Sequence, residues 1–378
     1  MATLQDEVMI NGMRLRNKIA MPPLTTNYGS PEGMVTEDII QFYRERSKDV
    51  GLVILEASAV RADGRILQGS LGLWEDGQAA GMASLADAIK KLGAAAVVQI
   101  NHAGARCFPA GGEMQGASPS GFQFRPDVVP LIMSPAQIDQ IVADFADAAG
   151  RAAEAGFDGV EIHGAHFYLI SQFLSPLTNQ RNDRYGGDAR ARATLALEVV
   201  RSVRERLGKS YPIFFRLNAS EKVEGGQTLE DALVVSKLLA NEGVDALDVS
   251  LIANSSWKEI EDQRFLVASS ALSKEQPAGA NVSPTAAVKE ATGLPVIAVG
   301  KLGEGDVAGE SVRDLPIDIV AVGRQMIADP DAAGKILAGK GDEIVRCEEC
   351  MTCFATIGSG KPMACKVNRK LPRSRRSA

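Results

Sequence analysis

No stretch of this chain approaches the roughly 20 consecutive apolar side chains needed to cross a bilayer. Met1 to Arg16 is polar and lacks the apolar centre of a secretory leader, so a cytoplasmic protein with no membrane partner is expected. Positive charge is not in excess: the net charge of -6 serves solubility and offers nothing to nucleic acid. The one basic cluster, Lys366, Arg369, Lys370, Arg373, Arg375 and Arg376, reads as a solvated tail. Histidine is scarce, with three residues in the chain, so where those three fall carries weight. Cysteine is nearly absent until the end, where four of the five crowd into Cys347 to Cys365. In a reducing compartment that crowding argues for a metal rather than disulfides, and Cys107 is left as an unpaired loop thiol.

What is present is a repeat of helix, glycine and short apolar strand. Lys91-Leu92-Gly93 runs into Ala95 to Ile100, Glu154-Ala155-Gly156 into Val160 to Ile162, and Arg206-Leu207-Gly208 into Pro212 to Leu217. Asn241-Glu242-Gly243 precedes Ala246 to Val249, and Thr292-Gly293 precedes Pro295 to Val299. Glycine after a helix suits the left-handed cap. Apolar strands without alternation suit a parallel sheet covered on both faces. With Ile19 to Met21, Leu52 to Leu55 and Ile317 to Val322 the strands number eight. Ser134-Pro135-Ala136-Gln137 reads as a capping box, Thr228 with Asp231 as another helix start, and Ser283-Pro284 as a third. Eight β/α units, with no Gly-x-Gly-x-x-Gly after the first strand, favour a (β/α)8 barrel over a doubly wound sheet. The barrel is expected over residues 1–345, with 346–378 as an extension holding the cysteines and the basic tail. The loops Arg61 to Gly77, Arg106 to Met133 and Leu174 to Arg190 follow strands and would gather on the active face.

The residues at the strand ends are the chemical candidates. Thr25 follows the first strand, Ala57 the second, Gln99 to His102 the third, and Arg216 the fifth. His163, His166 and Tyr168 follow the fourth, a cluster of three donor-capable groups. Gly300 ends the seventh strand and Gly323-Arg324 the eighth. Two readings stand for these: a phosphate site built from backbone N–H groups and a bidentate arginine, or turn glycines beside an arginine paired with a carboxylate.

Six motifs in order make the chain resemble the old yellow enzyme family, flavin mononucleotide (FMN)-dependent reductases on an eight-stranded barrel. They are Asn17-Lys18-Ile19-Ala20-Met21-Pro22-Pro23-Leu24-Thr25, Gln99-Ile100-Asn101-His102-Ala103-Gly104 and Val160-Glu161-Ile162-His163-Gly164-Ala165-His166, followed by Gln172-Phe173-Leu174-Ser175-Pro176, Asn182-Asp183-Arg184-Tyr185-Gly186-Gly187 and Gly323-Arg324. The resemblance implies that Pro23, Leu24, Thr25, Ala57 and Gln99 line the flavin ring and that Arg216 lies at its N1 edge. Gly300, Gly323 and Arg324 would hold the ribityl phosphate. His163 and His166 would bind a substrate oxygen, and Tyr168 would be the proton donor, with His102 outside the catalytic set. The implied reaction takes hydride from NADH or NADPH and passes it through flavin N5 to the activated C=C of a small α,β-unsaturated carbonyl or nitro compound. Two departures stand out. Phe167 occupies a position where the family has glycine, and a ring there is expected to narrow the pocket or tilt Tyr168. Asp188-Ala189-Arg190-Ala191-Arg192 replaces the family's Ser-x-Glu-Asn-Arg.

Cys347-x2-Cys350-x2-Cys353-x11-Cys365 is similar to the run that holds a four-iron cluster in dienoyl-CoA reductases and amine dehydrogenases, with one residue fewer between its second and third thiols. An iron–sulfur cluster, zinc, and no metal all remain open for it. Those relatives continue into a dinucleotide-binding domain, and none is expected here. The alternative function is a dehydrogenase or demethylase barrel, or a dienoyl-CoA-reductase-like one, passing electrons through the cluster to a protein partner. The physiological substrate and the oligomeric state stay open.

Overall fold

The computed structural model describes residues 2–108, 114–260, 262–303 and 305–371. Its centre is a closed barrel of eight parallel strands. In chain order they are β1 (Ile19–Met21), β2 (Leu52–Ala59), β3 (Ala95–Asn101), β4 (Gly159–Gly164), β5 (Ile213–Glu221), β6 (Ala246–Ile252), β7 (Val296–Val299) and β8 (Ile319–Ala321). Each neighbours the next, and β8 pairs with β1 to close the ring. The helices α1 (Glu37–Arg46), α2 (Ala79–Lys90), α3 (Pro135–Glu154), α4 (Thr194–Leu207), α5 (Leu229–Glu242), α6 (Val282–Thr292) and α7 (Gly305–Asp314) connect successive strands. No described helix is long and apolar enough to cross a membrane.

Local chemistry sets the helix ends. Ser134 with Gln137, and Thr228 with Asp231, form capping boxes at the starts of α3 and α5. All five glycines that precede predicted strands have positive φ, from 71° at Gly293 to 102° at Gly243. α6 starts earlier than expected: Asn281 is its N-cap residue, and Ser283-Pro284 sit inside the first turn. Proline is tolerated there because a first-turn N–H has no helical acceptor.

Strand alternation divides the side chains between two environments. Val98, Ile100, Val160, Ile162, Phe215, Leu217, Leu247 and Val249 join the large core under the helices. Val97, Phe214, Ala246, Ile297 and Ile319 point into the barrel, where Ile10 and Leu15 of the hairpin Val8–Ile10/Met13–Leu15 plug its N-terminal end. Two or four residues further along β3 to β6 the inward positions turn polar: Gln99, Glu161, His163, Arg216, Asp248 and Ser250, all buried. The barrel is therefore greasy at the bottom and ionisable at the top.

Two insertions lie outside the expected strands. Met114–Ser118 pairs parallel with Val128–Ile132 inside the long loop after β3. An antiparallel hairpin, Asn254–Ile260 with Gln263–Ser269, follows β6. The hairpin is polar and mostly exposed, so it carries no apolar signal that sequence alone could register. The segment after β8 returns over the barrel mouth: the Met363 N–H donates to the Thr26 carbonyl, Tyr28 Oη to the Met363 carbonyl, and Asn27 Nδ2 to the Gly360 carbonyl. In the basic tail, Lys366 pairs with Glu348 at 2.7 Å, while Arg373, Arg375 and Arg376 lie outside the described residues.

Gly51 at the start of β2 shows how closely the ring is drawn. A Cβ there would stand 2.2 Å from the Asn17 carbonyl oxygen. Backbone cannot yield as a flexible side chain can, so Gly51→Ala is expected to lower the unfolding free energy by about 1–3 kcal/mol. Urea titration checks this, and an unchanged midpoint contradicts it.

Candidate functional site

The turn after β4 is the most constrained backbone at the mouth. His166 and Phe167 have φ of 63° and 56°, a left-handed pair that residues with side chains seldom adopt. Four hydrogen bonds hold it. The His166 N–H donates to Asn218 Oδ1 at 3.3 Å, and Arg106 Nη1 donates to the His166 carbonyl at 2.5 Å. The Phe167 N–H donates to Ser171 Oγ at 3.1 Å, and Gln172 Nε2 donates to the Phe167 carbonyl at 2.7 Å. The Phe167 ring is fully buried with Ala105, Phe124, Ile252 and Leu266. Tyr168 packs in a different cluster, with Ala103, Cys107 and Val128. Burial of the ring compensates for a conformation that glycine would hold freely.

This turn brings three rings together. The His163 centroid lies 5.0 Å from that of His166 and 5.1 Å from that of Tyr168. The Ala165 N–H donates to His163 Nδ1 at 3.3 Å, which leaves the ring proton on Nε2. His166 Nε2 is bonded to Ser250 Oγ at 2.8 Å, so one ring nitrogen of His166, Nδ1, stays available. Burial, reinforced by the charges of Arg216 and Arg106, holds the His163 imidazole well below its ordinary pKa, and the same causes, with His163 added, do so for His166. Burial pushes the Tyr168 phenol above its ordinary value, and Arg106, 5.4 Å from the ring centroid, opposes that rise. His102 plays another part: it accepts the Gly104 N–H on Nδ1 and faces Asp63 at 3.7 Å.

A cavity opens over the C-terminal ends of β5 to β8; Ser250, the partner of His166, lines it, whereas His163, His166 and Tyr168 do not. Of the expected cofactor residues, Leu24, Arg216, Gly300, Gly323 and Arg324 line it; Pro23, Thr25, Ala57 and Gln99 do not. Gly300 has φ of 129°, and a Cβ on Gly323 would stand 3.3 Å from Pro22, so both positions favour the bare backbone. Arg324 Nη2 donates to the Leu272 carbonyl at 2.9 Å and Nη1 to Met351 Sδ at 3.3 Å. Among the described residues it pairs with no carboxylate, which favours the phosphate reading of this group. Two glycine backbones and an arginine at one end, with a buried guanidinium further along, fit a phosphorylated cofactor such as FMN.

The cysteines line a second cavity next to the first. Cys347, Cys350, Cys353 and Cys365 all border it with Arg324, and Cys347 and Glu349 border both cavities. Burial pushes the Cys353 thiol up to about 11 and raises that of Cys347. No group of three or more His, Cys, Asp or Glu among the described residues is set to hold a metal ion. The four thiols thus surround a space rather than converge on a point.

Several site residues were not anticipated. Ser250, near the end of β6, obeys the same strand-end rule as the others and lines the first cavity. Lys301, which pairs with Glu349 at 2.6 Å, and Arg346 and Phe354 also line the first cavity, and no sequence pattern marks them. Arg192, in the segment that departs from the family, is structural: it donates to the Leu174 carbonyl at 2.8 Å and the Gly187 carbonyl at 2.6 Å, and it pairs with Asp231 at 3.1 Å.

Comparison with known proteins accords with this geometry. The chain is 38% identical over 358 residues to an NADH oxidase of Thermoanaerobacter brockii, a match covering 92% of this chain and 52% of that protein. It is 34% identical over 332 residues to an NADPH dehydrogenase of Listeria monocytogenes serotype 4b (strain CLIP80459), covering 87% and 93%. The solved complex of 2-naphthoyl-CoA reductase with 2-naphthoyl-CoA superposes with a TM-score of 0.89 at 26% identity, covering 98% of this chain and 57% of that one. The chain spans about half the length of the first of these relatives. The model of the NADH:flavin oxidoreductase / NADH oxidase family matches residues 7–343, and the chain belongs to that family.

Proposed function

We propose that the barrel holds FMN and acts as an NAD(P)H-dependent reductase of activated alkenes, with α,β-unsaturated carbonyl and nitro compounds as the substrate class. One observation carries this reading: the uncharged rings of buried His163 and half-buried His166 and Tyr168 gather at one strand end beside the Arg216 cation. The names of the NADH oxidase and NADPH dehydrogenase relatives support a reduced nicotinamide as electron donor. The naphthoyl-CoA complex supports a conjugated carbonyl as acceptor.

Bound FMN supplies the capacity to accept hydride from NADH or NADPH and deliver it to the β-carbon of the substrate. The protein's residues do the rest. His163 donates its Nε2 proton in a hydrogen bond to the substrate oxygen, where negative charge grows. Ser250, donating to His166 Nε2, keeps that ring's proton on Nδ1 and makes it the second donor. Both rings are neutral at physiological pH, so they stabilise the oxyanion without surrendering a proton to it. Tyr168 keeps its proton at neutral pH and gives it to the α-carbon. Pro23, Leu24, Thr25, Ala57 and Gln99 would line the ring system, Arg216 would offset charge on the reduced cofactor, and Gly300, Gly323 and Arg324 would hold the phosphate.

A second reading is favoured by Cys347, which borders both cavities. Under it, Cys347, Cys350, Cys353 and Cys365 would hold an iron–sulfur cluster, which would supply one-electron transfer to a partner. Iron and sulfide in the purified protein, with broad visible absorption under the flavin bands, are the expected result; zinc alone, or no metal, rules this route out.

In anaerobic stopped-flow, NADH or NADPH should bleach the bound flavin and cyclohexenone should restore it; failure of either half-reaction removes the ene-reductase reading. His163→Ala with His166→Ala should weaken binding of a phenolic inhibitor roughly 100-fold by removing two oxyanion donors. In the wild type, because both imidazoles are held below their ordinary range, affinity for such a ligand should show no histidine limb between about pH 6 and 8. A sigmoid centred there would mean that the rings titrate. Phe167→Gly should relieve left-handed strain of about 1–2 kcal/mol but lose about 3–5 kcal/mol of ring packing. Net destabilisation with slowed protonation is expected, and a more stable variant contradicts the account of the turn.

A further inference from the structure

Two buried carboxyl groups stand behind the site and have no role in the chemistry above. Glu161 on β4 and Asp248 on β6 are both fully buried, and β5 runs between their strands. Arg216 of β5 is in register with Asp248 on one side and His163 on the other. Its Nε lies 3.3 Å from Asp248 Oδ2. Glu161 Oε1 accepts from Gln99 Nε2 at 2.7 Å. Glu161 Oε2 and both Asp248 oxygens are buried without a hydrogen-bond partner, and so is Arg216 Nε.

Charge counting makes these orphans intelligible. Two ionised carboxylates and one guanidinium in a closed interior leave one uncompensated negative charge, which is heavily penalised away from water. One retained proton removes it. The two carboxyl groups face the same closed interior from β4 and β6, and a hydrogen on Glu161 Oε2 donated to Asp248 would satisfy an orphan on each. Burial first and Asp248 second raise the Glu161 pKa well above the ordinary range; burial raises that of Asp248 too, and there Arg216 opposes it. Other groups facing this interior do not alter the count. His163 is neutral, Ser250 is engaged with His166, and Glu56 of β2 is turned to the Thr26 N–H and hydroxyl. β7 and β8 contribute Ile297, Ile319 and Ala321.

We propose that Glu161 and Asp248 hold a single proton between them, making Gln99–Glu161–Asp248–Arg216 one hydrogen-bonded arc of zero net charge that fixes how much of the Arg216 charge reaches the cofactor cavity. Glu161 and Asp248 are positioning residues: they act through Arg216, which lines that cavity, and through Gln99. This rests on the reading of the cavity as an FMN site. The cofactor gains negative charge when reduced, so the charge behind Arg216 sets its reduction potential.

The experiment is redox potentiometry of the FMN holoenzyme, reduced with dithionite rather than by turnover, between about pH 6 and 9. Glu161→Gln replaces a neutral acid with a neutral amide that can make both hydrogen bonds, so the reduction equilibrium should move less than threefold. Asp248→Asn deletes a negative charge and should favour the reduced cofactor tenfold or more at about pH 6, a rise of about 30 mV. In that variant Glu161 no longer faces a carboxylate, so the gain should shrink at higher pH as its proton is lost. A Glu161→Gln shift as large as that of Asp248→Asn would mean both acids are ionised. No shift in Asp248→Asn at about pH 6 would mean the arc does not reach the cofactor. Either result overturns the proposal. If the variants do not fold, infrared spectra of the wild type decide: the C=O stretch of a neutral acid should persist above the titration of Glu56 near 8, and its loss there is a refutation. A wild type that takes up no FMN, or whose FMN ignores NADH and NADPH, fails the parent reading instead.

Discussion

Closing eight parallel strands into a ring forces every second side chain onto the barrel axis, where neither water nor a helix can accommodate it. The rest of this molecule follows from how that axis is filled. At the N-terminal end the hairpin residues Ile10 and Leu15 and the first inward layer are apolar, and dispersion and exclusion of water suffice. At the other end the inward positions carry Gln99, Glu161, His163, Arg216, Asp248 and Ser250. Such groups are stable only when each meets a partner of the right sign or polarity, so this layer must be nearly complete as a network before any ligand arrives.

The turn at His166 and Phe167 extends the same logic to backbone. Left-handed φ at two consecutive non-glycine residues persists where surroundings over-determine it. Here the loop after β3 supplies Arg106, β5 supplies Asn218, and the short helix Leu169–Leu174 supplies Ser171 and Gln172. The imidazoles and phenol are thus aimed by three separate elements. A catalytic geometry assembled this way tolerates change on its surface far better than change in its supports.

Much of this was readable in the amino acids. The helix–glycine–strand repeat locates five of the eight strands and apolar runs the other three, because a helix cap and a two-sided apolar strand are local signals. The histidine pair and the mouth glycines stand out by their place at or just past strand ends, although His163 proves to be the penultimate residue of β4. Glu161 and Asp248 were visible as charges inside apolar strands, yet the charge they answer sits on another strand, and only closure brings Arg216 between them. The polar hairpin after β6, the earlier start of α6 at Asn281 and the seat of the cysteine segment were likewise set by tertiary contacts rather than by periodicity. Phe167 looked like an obstruction in a pocket and is an anchor beneath one.

The return of the chain over β1 has a temporal meaning. Thr26 and Tyr28 belong to the first β/α loop, yet their partner Met363 lies 335 residues downstream of Tyr28. During synthesis the earliest part of the mouth must wait, with a buried-type carbonyl and hydroxyl still wet, until almost the whole described chain has emerged. The rim on which a ligand would rest is therefore among the last surfaces to acquire its native form, and occupancy follows completion of the fold rather than guiding it.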